Sequence, residues 1–357
     1  MTSHLPLATT YAEARKRFLH ESNEAGAATS SYLHPGVGIS GEELAIDVAE
    51  LGPDTATDVV LVVSGTHGVE GFCGSALQSR WLECCAADRP HGLSVVLVHA
   101  LNPHGFSWVR RTNEDNVDLN RNFVDPDRLP SNPGYDEIAE LLVPAEWTET
   151  ERERTDTLLL EMLAERGLDA FQQTISGGQY THPGGVFYGG TAPVWSHTWL
   201  DAWCRQHLGA ARRVAILDLH TGLGPWGEGE LIASGATGTE ANDRARAWWG
   251  EVTSMIDGGS VSAVLSGDWL EATNRFLPHA QVTGAALEFG TVDPVTVLHA
   301  LRADAWLHTH GDPAGPDGAA IRAQVRDAFA DDDPAWLDEV WVRFLQVIEQ
   351  TFVALSD

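Results

Sequence analysis

Four short apolar runs, rich in β-branched residues, constrain the fold of this chain more than any other feature of its sequence. They cover residues 58–64 (DVVLVVS), 93–101 (LSVVLVHAL), 213–219 (RVAILDL) and 285–289 (AALEF). Their apolar character is continuous and does not alternate with polar residues, which is typical of strands that are buried on both faces of a mostly parallel sheet.

Helical patterns separate these runs, and the predicted helices cover residues 11–25, 72–86, 148–166, 240–255 and 334–355. Strands that alternate with helices indicate the α/β class, with a mixed, mostly parallel central β-sheet flanked by helices. We expect a single domain over residues 1–357. It includes an elaboration at about 124–205, where strand signals are few, and C-terminal helices at about 319–357. The elaboration contains a Gly-rich stretch, GGQYTHPGGVFYGG (177–190).

The charge of the chain excludes several classes of partner. The 22 basic and 51 acidic residues give a formal net charge of −29 at pH 7, so we expect neither nucleic acid nor an anionic membrane as a partner. No apolar run approaches the roughly 18 residues of a membrane span, and the N-terminus lacks the apolar core of a signal peptide. Four cysteines match neither a zinc motif nor a disulfide framework. Together these features predict a cytoplasmic protein.

Two motifs that follow predicted strands contain candidate metal ligands. SGTHGVEG comes directly after the first strand, and its His67 and Glu70 both carry metal-binding atoms. Alone, this pair is equally consistent with a capped loop and a surface histidine. His220, however, lies just past the third strand, and ligands of open α/β sheets bind outside the carboxyl ends of strands. Two histidines and one glutamate, with a fourth position left to water, form a catalytic zinc set.

Two carboxylates near these motifs are further candidates. Asp218 lies two residues before His220, on the same side of the strand, and either orients an imidazole or makes a structural hydrogen bond. Glu288 stands between Leu287 and Phe289 in AALEFGT, where desolvation would raise the pKa of its carboxyl group. Such a group beside a metal site is a natural general base, and the alternative is a buried glutamate paired with an arginine.

The polar run at 101–123 (LNPHGFSWVRRTNEDNVDLNRNF) supplies cations and amides close to the same edge. Arg110, Arg111, Asn120 and Arg121 are suited to an anionic substrate group or a developing oxyanion. Alternatively, the arginines balance acidic residues at the surface.

Six motifs in this order resemble the zinc carboxypeptidase superfamily, which includes the aspartoacylase and succinylglutamate desuccinylase branch. They are HGVE (67–70), NPHG (102–105), RR (110–111), VDLNRNF (117–123), LDLHTG (217–222) and LEFGT (287–291). The resemblance covers about residues 58–291 and implies a zinc-carboxypeptidase-like fold. It also implies one Zn²⁺ per chain, held by His67, Glu70 and His220.

The resemblance further implies roles for the neighbouring residues. Glu288 would be the general base, and Arg110, in preference to Arg111, would stabilise the oxyanion. Substrate binding would involve Arg111, Asn120 and Arg121, the last two gripping a substrate carboxylate. Asp118 would hydrogen-bond the first zinc histidine, which fixes its tautomer.

The chain departs from the pancreatic-type carboxypeptidases in two places. These enzymes place a mobile tyrosine between the third zinc ligand and the catalytic glutamate, whereas all five tyrosines here precede His220. Tyr180 and Tyr188 are hypothetical replacements, with packing in the core or at the rim as the alternative. Gly68 follows the first ligand, as in the aspartoacylase-like pattern. These differences favour a bacterial-type cytosolic branch over a digestive exopeptidase.

We therefore expect zinc-dependent hydrolysis of an amide bond in a small carboxylate-bearing substrate, either a short peptide C-terminus or an N-acyl amino acid. An aspartoacylase-type deacylase is the alternative to a carboxypeptidase, and a non-catalytic binding protein on the same fold is a further one. The chain contains no GxSxG nucleophile elbow, which argues against a serine hydrolase of the α/β type.

Overall fold

The four apolar runs form the middle of one sheet. The computed structural model describes residues 6–254, 260 and 263–356, and in this part of the chain the sheet has eight strands in the order β1-β2-β4-β3-β5-β8-β6-β7. Their bounds are β1 Ala28–Val37, β2 Glu43–Leu51, β3 Asp58–Ser64, β4 Ser94–His99, β5 Arg213–Trp226, β6 Gly229–Ala233, β7 Thr253–Ser254 and β8 Gln281–Gly290.

The sheet is mixed and mostly parallel, which confirms the predicted fold class. The central strands β4, β3, β5 and β8 pair in parallel, while β1 and β2 form an antiparallel pair at one side and β6 pairs antiparallel with β8 at the other. The predicted strands are β3, β4, β5 and β8. The other four have shorter or more polar sequences; β1, for example, is an edge strand whose side chains are mostly exposed.

Helices cover both faces of the sheet. In the described residues they are α1 Tyr11–Glu24, α2 Gly71–Cys84, α3 Pro103–Trp108, α4 Pro133–Asp136, α5 Ala139–Leu142, α6 Glu149–Arg166, α7 Leu168–Ser176, α8 Trp195–His207, α9 Glu240–Trp249, α10 Trp269–Phe276, α11 Pro294–Thr309, α12 Pro316–Phe329 and α13 Pro334–Ser356. The helices predicted at 11–25, 72–86, 148–166 and 334–355 are confirmed to within two residues at each end.

One predicted helix is shorter than expected. The helix predicted over residues 240–255 ends at Trp249, because Gly250 adopts a left-handed conformation with φ +80°. The chain then enters the short strand β7, and residue 255 lies outside the described residues.

Two hydrophobic clusters lie on opposite faces of the sheet, and alternate strand residues contribute to each. Leu217 and Leu287 belong to the first cluster, with side chains of α1, α2, α12 and α13. Ile216 and Ala286 belong to the second, with side chains of α8 and α10. This double coverage explains why the central strands are continuously apolar.

The helices of the described residues give no candidate for a membrane span, since each is too short or too polar to cross a bilayer.

Buried histidines make the stability of this fold sensitive to acid. His99 at the end of β4 is fully buried, stacks on Phe18 with 4.5 Å between ring centroids, and lies 2.9 Å from Ser75 Oγ through Nε2. Burial lowers the pKa of His99 from 6.5 to about 4. The unfolded chain therefore binds a proton below pH 6.5 that the folded chain takes up only near pH 4.

We predict that the free energy of unfolding falls between pH 7 and pH 5, with His99 contributing about 2 kcal/mol to the loss. Urea unfolding at the two pH values measures this, and His99→Gln should reduce the loss by that amount. The exposed His91 provides the control, because His91→Gln should leave the pH dependence unchanged. An equal loss in wild type and His99→Gln would contradict the assignment.

Candidate metal centre

The first two candidate ligands lie on a tight turn between β3 and α2. His67 precedes a 3₁₀ turn, Gly68–Glu70, that leads directly into α2. On this turn His67 Nδ1 lies 2.8 Å from Glu70 Oε1, and both side chains are buried. The spacing of three residues thus brings the imidazole and the carboxylate together on one face of the turn.

Gly68 allows this turn to pack against the NPHG motif. A Cβ at this position would lie 2.0 Å from the carbonyl carbon of Gly105 and 2.2 Å from the backbone nitrogen of Phe106. The backbone N–H groups of Gly68 and Val69 donate to the carbonyl oxygens of Arg111 and Arg110, at 3.2 and 2.8 Å. The HGVE motif therefore fixes the backbone of the paired arginines.

His220 completes the group from the neighbouring strand β5. Its Nδ1 lies 2.7 Å from Glu70 Oε2, so the Glu70 carboxylate bridges the two imidazoles. One ligand atom from each of His67, Glu70 and His220 lies within 4.8 Å of the others, and all three residues are buried. The structure thus brings together the three residues predicted to hold the metal.

The outward-facing nitrogen of each imidazole meets a second carboxylate. Asp118 Oδ1 lies 3.1 Å from His67 Nε2, and Asp218 Oδ2 lies 2.6 Å from His220 Nε2. When a carboxylate accepts a hydrogen bond from the N–H at Nε2, the other nitrogen, Nδ1, is free to bind a metal. The hydrogen bond also increases the basicity of Nδ1. Asp118 and Asp218 therefore each contact one imidazole, and their role in orienting the two rings stays a prediction. We take this donor set, with two Nδ1 atoms and one carboxylate, to fit a catalytic zinc ion.

The charges at this site also favour a cation. Burial alone would raise the pKa of Glu70, but the two imidazoles outweigh it and hold that pKa well below its ordinary value. Burial likewise opposes charge on His220, yet Asp218 and Glu70 raise its pKa well above 6.5. The surrounding carboxylates thus stabilise positive charge at the point where the three ligands meet.

Glu288 lies beside this point on β8. In the parallel pairing of β5 and β8 its register partner is His220, so the two side chains project from adjacent strands on the same face. Glu288 Oε1 accepts a hydrogen bond of 3.0 Å from the backbone N–H of Leu223. Burial, together with the negative charge of Glu70, raises the pKa of Glu288 to about 7.

The structure brings Arg111, and not Arg110, into contact with the candidate metal ligands, which argues against the expectation that Arg110, in preference to Arg111, stabilises the oxyanion. Arg110 points away and pairs with the buried Asp304 of α11, with 3.0 Å between Nε and Oδ2. Arg111 instead donates from Nη1 to Glu70 Oε1 at 3.2 Å and from Nε to Asp118 Oδ2 at 2.9 Å. Val109, whose backbone is left-handed with φ +56°, ends α3 just before the two arginines.

Asn120 and Arg121 follow Asp118 on a 3₁₀ turn, Leu119–Arg121. Asn120 is buried, and its Oδ1 has no hydrogen-bond partner among the described residues. Arg121 donates from Nε and Nη2 to the carbonyl oxygen of Ser176, at 3.1 and 2.6 Å. This guanidinium therefore anchors the start of the 177–190 stretch, and its contact with a substrate carboxylate stays a prediction.

Comparisons with known proteins place the chain in a family and in a fold group. A family model described as "Protein of unknown function (DUF2817)" matches residues 7–343. The chain belongs to this family. A comparison of its sequence with curated proteins finds no match.

Several solved structures are similar to this chain in fold. A chain in the structure of bovine thrombin-activatable fibrinolysis inhibitor in complex with tick carboxypeptidase inhibitor has a TM-score of 0.53 and 10% identity, over 99% of this chain and 98% of that chain. Carboxypeptidase A from Helicoverpa armigera has a TM-score of 0.49 and 13% identity, over 91% of this chain and 75% of that one. Succinylglutamate desuccinylase from Chromobacterium violaceum has a TM-score of 0.38 and 16% identity, over 84% and 74%. The first of these similarities, whose TM-score exceeds 0.5, confirms the fold predicted from the six motifs.

Two hydrogen bonds at this site could not be predicted from the sequence. Trp269 Nε1 and Thr66 Oγ1 both donate to Asp218, at 2.7 Å each, and they hold the carboxylate that orients His220. Tyr180, by contrast, uses its hydroxyl in a structural role, because it donates to the carbonyl oxygens of Arg121 and Ser266.

Proposed function

We propose that this protein is a zinc-dependent hydrolase that cleaves an amide bond in a small carboxylate-bearing substrate. The substrate would be the C-terminus of a short peptide or an N-acyl amino acid. The observation that carries this proposal is the convergence of His67, Glu70 and His220 on one point, with Glu288 beside them. Three protein ligands are the number that catalytic zinc sites use, because the fourth position is left to water or substrate.

Zinc would supply a Lewis acid at this point and would lower the pKa of a water molecule there toward about 7. Glu288 would transfer the protons in the reaction. It would accept a proton from the water whose oxygen attacks the carbonyl carbon, and it would return a proton to the nitrogen when the carbon–nitrogen bond breaks. A carboxyl group with a pKa near neutrality suits both tasks, since it gains and loses its proton readily.

Arg111 and Asn120 are the polar groups assigned to the substrate. The Arg111 guanidinium, part-exposed beside Glu70, would stabilise the negative charge that develops on the carbonyl oxygen. The Asn120 side chain would donate from Nδ2 to the substrate carboxylate, because a carboxylate only accepts hydrogen bonds. The carbonyl oxygen of Arg111 accepts from the backbone N–H of Gly68, and Asn120 lies two residues after Asp118, which contacts His67. The candidate metal and substrate contacts are therefore adjacent.

Hydrolysis of defined amides tests the proposal. The purified protein should bind one zinc ion per chain, lose activity with a chelator and recover it when zinc is added. We expect cleavage of dipeptides with a free C-terminus, or of N-acetyl, N-succinyl or longer N-acyl amino acids. A higher kcat/KM for the dipeptides would indicate a carboxypeptidase. A higher kcat/KM for the N-acyl amino acids would indicate a deacylase of the aspartoacylase type.

Glu288→Gln should lower kcat by about 10²- to 10⁴-fold because it removes the general base while it keeps the shape of the side chain. Its zinc content, measured by mass spectrometry or atomic emission, should stay at that of wild type. Glu228→Gln serves as the control, because it changes an exposed carboxylate between β5 and β6. Undiminished hydrolysis by Glu288→Gln, or by protein freed of metal, would refute the mechanism.

The two adjacent arginines should respond differently to the same substitution. Arg111→Gln should lower kcat/KM by about 10²- to 10³-fold, because one donor to the oxyanion is lost. Arg110→Gln should instead lower the free energy of unfolding by about 3–5 kcal/mol, because it removes the guanidinium that pairs with the buried carboxylate of Asp304. Steady-state kinetics and urea unfolding of both variants measure these effects. A stable Arg110→Gln variant with the larger catalytic loss would contradict the assignment of the oxyanion contact to Arg111.

A further inference from the structure

The Gly-rich loop, residues 177–190, is fastened to the segment that carries Asp118. The backbone N–H of Asp118 donates to the carbonyl oxygen of Tyr188 at 2.8 Å. Asn122 Nδ2 donates to the carbonyl oxygen of Gly189 at 2.8 Å, and Asn116 Nδ2 donates to that of Gly185 at 2.9 Å. The position of the loop is therefore set by the same segment that orients His67.

Phe187 of this loop packs against two arginines at once. The centroid of its ring lies 5.3 Å from Cζ of Arg111 and 5.4 Å from Cζ of Arg121. The ring is 8% exposed, so water screens these contacts weakly. The face of an aromatic ring attracts a guanidinium group, whereas two guanidinium groups repel each other. The Phe187 ring attracts both guanidinium groups, as does the Asp118 carboxylate, which lies 2.9 Å from Arg111 and 3.9 Å from Arg121.

The backbone of Phe187 is strained. Its φ is +55°, a left-handed conformation that bulky residues rarely adopt. Neighbouring hydrogen bonds hold it there: the N–H of Gln179 donates to the carbonyl oxygen of Phe187 at 3.2 Å, and the Tyr135 hydroxyl donates to that of Val186 at 2.9 Å. Strain of this kind persists where the surrounding structure enforces it, and it clusters at functional sites.

We infer that Phe187 is a positioning residue for the reaction, whose ring holds the Arg111 guanidinium beside Glu70 and Asp118. The inference rests on the proposed function, in which Arg111 stabilises the oxyanion. Phe187 acts through the arginine and takes no part in the chemistry itself. The Gly-rich loop thereby acquires a role that the six sequence motifs do not include.

Kinetics of three variants test this role. Phe187→Leu keeps an apolar side chain but removes the aromatic face, so kcat should fall about tenfold with little change in KM. Phe187→Tyr keeps the face and should stay within about threefold of wild type. Phe171→Leu is the matched control, because Phe171 is also 8% exposed and lies in the same hydrophobic cluster as Phe187, but no arginine lies over its ring among the described residues. It should lower the melting temperature without lowering kcat. Wild-type kcat in Phe187→Leu, or equal losses in the Leu and Tyr variants, would overturn the inference.

An NMR measurement tests the contact independently of activity. The ring current of Phe187 should displace the Nε–H resonances of Arg111 and Arg121 in the wild type and in Phe187→Tyr, and the displacement should disappear in Phe187→Leu. Unchanged resonances in Phe187→Leu would overturn the inference. If the wild type hydrolyses no amide, the proposed function fails, and this spectrum still decides whether Phe187 holds the arginines.

Discussion

The candidate site depends on the parallel register of three central strands. The pairing of β3 with β5 and of β5 with β8 brings the ends of these strands to one edge of the sheet, with His220 directly opposite Glu288. The chain leaves β3 at this edge through a turn that carries His67 and Glu70. Groups that are 150 residues apart in sequence, Glu70 and His220, therefore meet at 2.7 Å. A shift of one residue between β5 and β8 would turn Glu288 to the other face of the sheet.

A second layer of carboxylates surrounds this meeting point. Asp118 and Asp218 hold the outer nitrogens of the two imidazoles, and each carboxylate is itself hydrogen-bonded. Arg111 lies between the Glu70 and Asp118 carboxylates and limits their mutual repulsion. The same arginine borders the Gly-rich loop through Phe187. The ligand set, the orienting carboxylates and the proposed substrate contacts thus form one connected network.

The sequence predicts the centre of this fold well because the central strands are buried on both faces and the ligand motifs follow them directly. The strands β1 and β2 escape prediction, since an exposed edge such as β1 lacks a continuous apolar run. The position of Arg110 depends on its contact with Asp304, which is 194 residues away in the sequence. Such a contact leaves no local pattern. The hydrogen bond from Arg121 to the carbonyl oxygen of Ser176 could not be predicted from the sequence either, because every residue type has a backbone carbonyl.

X-ray absorption spectroscopy of the zinc-loaded protein examines the ligand set most directly. The account predicts a first shell of nitrogen and oxygen at about 2.0–2.1 Å with the outer-shell scattering of two imidazoles, reduced to one imidazole in His220→Ala. Sulfur scattering at about 2.3 Å, or a spectrum that His220→Ala leaves unaltered, would show that the metal binds elsewhere and would contradict the account.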